Sequence, residues 1–179
     1  MSAAYKAGVV VGIVLGIIIF TALYRILKVN KNGKWNTDYD EKQMAVRGIG
    51  YKYGFFTILI YNAVLIVLSV LEVNLPMGPE MILCIGIFLS AIVFASYSIW
   101  NDAYIGLNTN AKGYSIFMIS IGVINLLIGA FALKDQRVYV DGQLQTPFMN
   151  LLCFFAFALI GIEIVLKSIK DKKEEAQED

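Results

Sequence analysis

Two acids stand where acids are costly. Asp102 closes the charge-free run 81–101, and Glu163 interrupts the apolar run 148–166. A charge at mid-bilayer costs roughly 2.5–3.5 kcal/mol on insertion scales and less near the edge. A carboxylate so placed is therefore paired with a base, or it carries a proton or cation as part of its work. Bases are at hand. Arg47 and Lys52 precede one apolar run, and Lys167 lies four residues after Glu163, the favourable helical order for an acid–base pair. Two readings follow for Arg47, Lys52, Asp102, Glu163 and Lys167: a charge-paired collar at the membrane boundary, or a proton- or cation-linked site. A second set is uncharged. Asn62, Ser90 and Asn125 each fall near the middle of a long apolar run. Polar groups in hydrocarbon face a bundle interior and bond to one another, so these three either tie helices together or line a site for a small solute.

Other chemistry is missing from the sequence. There is no histidine, hence no ordinary general base, imidazole metal ligand or neutral-pH switch. Cys84 and Cys153 both lie in apolar runs and read as small packed thiols rather than a disulfide framework. No zinc-protease, nucleophile-elbow or phosphate-loop motif is present. Asp38, Asp40 and Glu41 cluster without the spacing of a calcium loop. They read instead as a helix start, Asp38 capping the backbone of Glu41. The expectation is a protein that is not an enzyme, with no metal and no cofactor.

The elements that hold these residues are set by composition. Hydrophobic residues are 58% of the 179-residue chain and charged residues 16%, against roughly 45–50% and about 25% in ordinary globular proteins. The surplus apolar surface needs lipid. About 20 apolar residues cross the hydrocarbon layer as a helix, and charges punctuate this chain at that interval. The runs 7–24, 53–72, 81–102, 113–133 and 147–166 read as five transmembrane helices. The fold expected is an all-α integral membrane bundle forming a single domain over 1–179. Residues 25–52 form a cytoplasmic juxtamembrane connection and 167–179 a charged cytoplasmic tail that frays into solvent.

Charge sets the orientation. With the N-terminus outside, the cytoplasmic segments hold Arg25, Lys28, Lys31, Lys34, Lys42, Arg47, Lys52, Lys112, Lys167, Lys170, Lys172 and Lys173. The outer segments hold Lys6, Lys134 and Arg137. Basic residues concentrate on the cytoplasmic side, so the C-terminus is expected there as well. The basic residues that follow the first run, with no small-residue cleavage site between, mark a retained anchor rather than a signal peptide. Net charge is +1, and no basic stripe points to nucleic acid.

Between the spans, Pro76, Gly78 and Pro79 mark a tight outer turn. Asp141-Gly142, flanked by Val138 and Val140, signals a small outer hairpin between spans four and five. Gly48, Gly50 and Gly54 sit where the second span enters the membrane and would permit a bend. Gly8, Gly12 and Gly16 recur every four residues, a smooth stripe that lets another helix approach closely. That stripe serves packing within the monomer or a homo-oligomer interface.

The stretch Tyr39-Asp40-Glu41-Lys42-Gln43, then Arg47-Gly48 and Tyr51-Lys52-Tyr53, resembles a juxtamembrane pattern of small uncharacterised multi-pass bacterial membrane proteins. That pattern reads Tyr-Asp-Glu-Arg-Gln followed by Arg-Gly-x-Ala-Tyr; here Lys42 replaces the arginine and Gly50 the alanine. The resemblance covers about 15 residues and the multi-span layout, and implies a bacterial inner membrane and nothing catalytic. The function expected is a non-enzymatic accessory, regulatory or immunity-type subunit that touches the lipid bilayer and a membrane protein partner. The alternative is a small-solute binding or transport subunit with a polar site inside the bundle.

Overall fold

Charge-free runs of about 20 residues leave the backbone one option in lipid, to bond to itself as helix. The computed structural model describes residues 11, 14, 15, 18, 39–107 and 111–178. The chain divides into two units, 1–38 and 39–179. In the first, the described residues Val11, Val14, Leu15 and Ile18 are helical and exposed. The rest of the expected first span lies outside the described residues, as do Gly8, Gly12 and Gly16. In the second unit the described residues form four helices long and apolar enough to cross a membrane. They are α1 (Glu41–Val70), α2 (Pro79–Trp100), α3 (Ala111–Lys134) and α4 (Phe148–Glu178). The described chain is all-helical except for one small hairpin, and its four helices mark it as a membrane protein.

Two helices outrun their apolar cores. α1 begins at Glu41, twelve residues before the run at 53, and α4 continues to Glu178 with no break at Lys167. At 31 residues α4 is about 46 Å long, beyond what ~30 Å of hydrocarbon requires. The basic-to-acidic tail is thus helix, supported by Lys167–Asp171 and Lys170–Glu174 pairs four residues apart. The start of α1 differs from the expected cap. Asp40, not Asp38, is the N-cap: its carboxylate accepts from Gln43 N–H at 2.6 Å, and Gln43 Oε1 accepts in return from Asp40 N–H at 3.4 Å. Two overlapping capping boxes are written into this stretch, and the one that closes on Gln43 also places that side chain against another loop, as shown below.

α1 packs on α2, α3 on α4, and α2 on α4. Close approach is set by glycines that face neighbouring helices. α1 runs helically through Gly48, Gly50 and Gly54. Gly50 and Gly54 are buried, and a Cβ on Gly54 would lie 3.1 Å from the Ser90 carbonyl oxygen. They bring two backbones together rather than bending one. Ala95 and Ile99 of α2 meet Ile160 and Ile164 of α4, with Tyr104, Ile105 and Tyr114 packed against them.

Three helices end alike. After α1, α2 and α3 the chain turns through a left-handed residue, Glu72 (φ 55°), Asp102 (φ 59°) and Gln136 (φ 54°). In each case the following N–H donates five residues back: Val73 to Leu68, Ala103 to Ser98 and Arg137 to Ala132. This is the Schellman ending, built here without the usual glycine. The expected hairpin forms as β1 (Tyr139–Val140) and β2 (Gln143–Leu144). Asp141 and Gly142 both have positive φ, as a two-residue type I′ turn requires. The hairpin is not isolated: Leu144 N–H donates to the Pro76 carbonyl at 2.7 Å, tying it to the α1–α2 turn.

Candidate functional site

The helix ends opposite this hairpin carry a polar network. It begins with a stripe on α1 and the residue before its cap: Tyr39, Gln43 and Arg47, spaced four apart and so on one face. All three reach the α2–α3 connection. The Tyr39 hydroxyl donates to the Tyr104 carbonyl at 3.2 Å. Gln43 Nε2 donates to the carbonyls of Asp102 (2.7 Å) and Ile105 (3.3 Å). Arg47 Nη1 donates to the Ala103 carbonyl at 3.0 Å. Four successive carbonyls beyond the end of α2 are thereby satisfied by side chains of α1 and its cap region. A cation here also opposes the negative end of the α2 dipole. The Arg47 guanidinium lies 4.2 Å from the Tyr39 ring centroid and 5.2 Å from that of Phe94. Phe94 in turn stacks on Tyr51 at 4.5 Å.

Across the connection, Tyr104 meets Tyr114 edge to face at 5.7 Å, and their hydroxyls are 3.5 Å apart. Burial, and the hydrogen bond to Tyr114, push the Tyr104 phenol well above its ordinary pKa, so it stays protonated. The left-handed turn at Asp102 aims its carboxylate at α4. Lys167 Nζ sits 2.8 Å from Asp102 Oδ1 and 2.6 Å from Asp171 Oδ1. Its side chain is 14% exposed against 70% for Asp102, so the ammonium lies in a pocket of carboxylates and the Asp102 side chain faces outward. Between these groups lies a cleft of about 340 Å³, whose lining includes Asp102, Tyr104, Lys167 and Asp171. Lys172 and Glu175 also reach it. Three acids against two lysines leave no strong field for an ion.

Lys167 thus joins Asp102 and Asp171, while Glu163, the acid expected to pair with it, turns to α2. Its Oε1 accepts from Ser96 Oγ at 3.0 Å, and its Oε2 is buried without a hydrogen-bond partner. Arg47 donates to the Ala103 carbonyl and the Tyr51 hydroxyl and lies over aromatic rings rather than meeting a carboxylate. Lys52 is exposed on α1 and forms no ion pair among the described residues. The uncharged set is dispersed. Asn62 donates to its own helix at the Ile58 carbonyl and Asn125 to its own at Ile121, both at 2.9 Å. Ser90 donates across to the Gly54 carbonyl at 2.9 Å. The three do not bond to one another. Tyr39 and Gln43 entered the sequence reading only within the juxtamembrane resemblance, though their four-residue spacing with Arg47 was available to set them on one face; Tyr104, Ser96 and Asp171 were not singled out. Among the described residues no cluster of three acids or thiols could hold a metal ion.

No family model matches the chain, and neither does any curated protein or solved structure. The functional reading rests on the residues themselves.

Proposed function

We propose that this chain is a five-span bacterial inner-membrane protein, N-terminus outside and C-terminus in the cytoplasm, that acts without catalysis as an accessory, regulatory or immunity-type subunit. The four helices of 39–178 supply four crossings, and the apolar run 7–24 supplies the fifth. The end that carries the polar network, with Arg47, Lys112 and Lys167, is the cytoplasmic one by the bias of basic residues. One observation carries the role: Asn62, Ser90 and Asn125 donate to helix backbone at separate places and not to one another, so they do not converge on a shared site for a solute. Its working surface is then its helices. Purification from native membranes with mass spectrometry tests this. One stoichiometric membrane partner is the expected result; a solitary protein that binds a solute would overturn it. Cysteine labelling, with Cys84 and Cys153 replaced by alanine, tests orientation: position 134 labels from outside and position 112 does not.

A second reading has its own observation. The Glu163 Oε2 is buried and unpartnered beside Ser96, an arrangement suited to a proton or small cation in transit. On that reading Glu163→Gln abolishes solute movement in reconstituted vesicles. On the first reading the variant keeps its partner at wild-type stoichiometry.

A further inference from the structure

The hairpin end of the bundle gathers sulfur from two helices. α2 begins at Pro79 and α4 at Phe148, both beside the hairpin, so the two run parallel along their seam. A pocket of about 110 Å³ lies between their first turns, lined by Met81 of α2 and Met149 of α4. Cys84 is one turn deeper than Met81 and Cys153 one turn deeper than Met149, so each cysteine shares its methionine's face. Helical side chains lean toward the helix N-terminus, and for both thiols that direction is toward the pocket. The two thiols lie within electrostatic reach of each other across the seam. Both are free and half-buried, and Met81 is buried. Glu80, exposed, lines the same pocket, and no described lysine or arginine does.

The donors set what such a place can take. About 110 Å³ suits a single ion with a few waters, each about 30 Å³ in the liquid, and falls short of the roughly 300 Å³ of organic-ligand pockets. One carboxylate is too few for calcium or magnesium, which take about six or more oxygens. Zinc takes about four ligands from thiolate, imidazole and carboxylate, and two thiols with Glu80 leave it one short. Two thiols and two thioethers are soft donors, the set that suits cuprous ion. We propose that Met81, Cys84, Met149 and Cys153 form a site for one cuprous ion at the hairpin end of the α2–α4 seam. Cys84 and Cys153 ligate as thiolates, each passing its proton to water. Met81 and Met149 give thioether lone pairs, and the copper keeps its oxidation state. The site stands whether or not the chain has a membrane partner. The sequence hides it, because only the seam brings the four residues together.

The test is a titration of the purified full chain in micelles with cuprous ion under argon, in competition with the chelator bicinchoninate. One copper per chain is expected, with sulfur neighbours in its X-ray absorption spectrum. Zinc should bind at least about a hundredfold more weakly, because the thioethers do not serve it. Cys84→Ser and Cys153→Ser should each weaken copper binding by about fiftyfold, and Met81→Leu with Met149→Leu by about fivefold, as thiolate is the stronger ligand. Met44→Leu removes a thioether at the opposite end of the bundle and should leave affinity within about twofold. Copper retained when both cysteines are serine, equal loss in Met44→Leu, or zinc bound as tightly as copper would overturn the proposal. So would a Cys84–Cys153 disulfide trapped by alkylation in intact cells, which would make the pair a covalent tie between helices. Should the methionine variant not fold, the single cysteine variants and the zinc comparison decide alone.

Discussion

Replacing Arg47 by alanine should loosen the latch between α1 and the α2–α3 connection. The side chain makes a charge-assisted hydrogen bond to the Ala103 carbonyl at 3.0 Å. Hydrogen bonds to charged groups contribute about 1.5–3 kcal/mol. It also lies 4.2 Å from the Tyr39 ring and 5.2 Å from the Phe94 ring, adding about 0.5–1 kcal/mol for a partly exposed cation over aromatic faces. The expected loss is about 2–4 kcal/mol. Arg47→Lys keeps the charge near the end of α2 but gives up the planar fork that bonds one carbonyl while lying flat on a ring. It should cost about half as much. Unfolding of the purified protein in mixed micelles, followed by helical circular dichroism, gives these values. A cycle with Tyr39→Leu isolates the ring contact, with an expected coupling of about 0.5–1 kcal/mol. If Arg47→Ala costs less than about 0.5 kcal/mol, a typical surface change, or if lysine restores full stability, the latch is not what holds this connection.

Five further substitutions have expected outcomes in the same assay. Gly86→Ala places a Cβ 2.6 Å from the Tyr61 ring, which is pinned by a 2.6 Å hydrogen bond to the Ile82 carbonyl, and should cost about 1–3 kcal/mol; Gly122→Ala meets its nearest atom at 3.5 Å and should stay within about 0.5 kcal/mol. Glu72→Gly relieves a left-handed residue at φ 55° and should stabilise by about 0.5–1 kcal/mol, the Cβ penalty less glycine's entropy. Lys167→Met strands Asp102 and Asp171 and should cost about 1–2 kcal/mol. Asp102→Asn should cost under about 1 kcal/mol, because Asp171 remains at 2.6 Å and the Asp102 side chain is 70% exposed.

The apolar middles of the helices were readable because each needs about 20 uncharged residues and charges mark the intervals. Of their polar extensions, the start of α1 at Glu41 was legible from its capping residues, while the helical run of α4 to Glu178 was not. Glu41 to Lys52 and Lys167 to Glu178 are helical for reasons outside the apolar pattern, namely a cap, four-residue ion pairs and, for α1, partners on a distant loop. The stretch Asp38 to Gln43 offers two capping frames of equal local quality, and tertiary contacts of Gln43 with Asp102 and Ile105 favour the second. The Asp-Gly hairpin was legible since two positive φ values leave few residue choices. The pairing of Lys167 was not, because the left-handed turn at Asp102 swings a carboxylate from another helix ahead of Glu163. The dispersion of Asn62, Ser90 and Asn125 was equally hidden, because depth in the membrane says nothing about which way a helix is rotated.

The pairing of α1 with α2 and of α3 with α4 also orders the protein's assembly in time. Each pair is made of chain neighbours, so each can close as soon as its second helix leaves the ribosome, and local closure is fast. The seam between α2 and α4 has to wait for the last 31 residues of helix. Until then Ser96 has no Glu163 and Asp102 no Lys167. A chain halted before α4 would therefore hold α1 paired with α2 but lack the side-chain contacts that join α2 to α4.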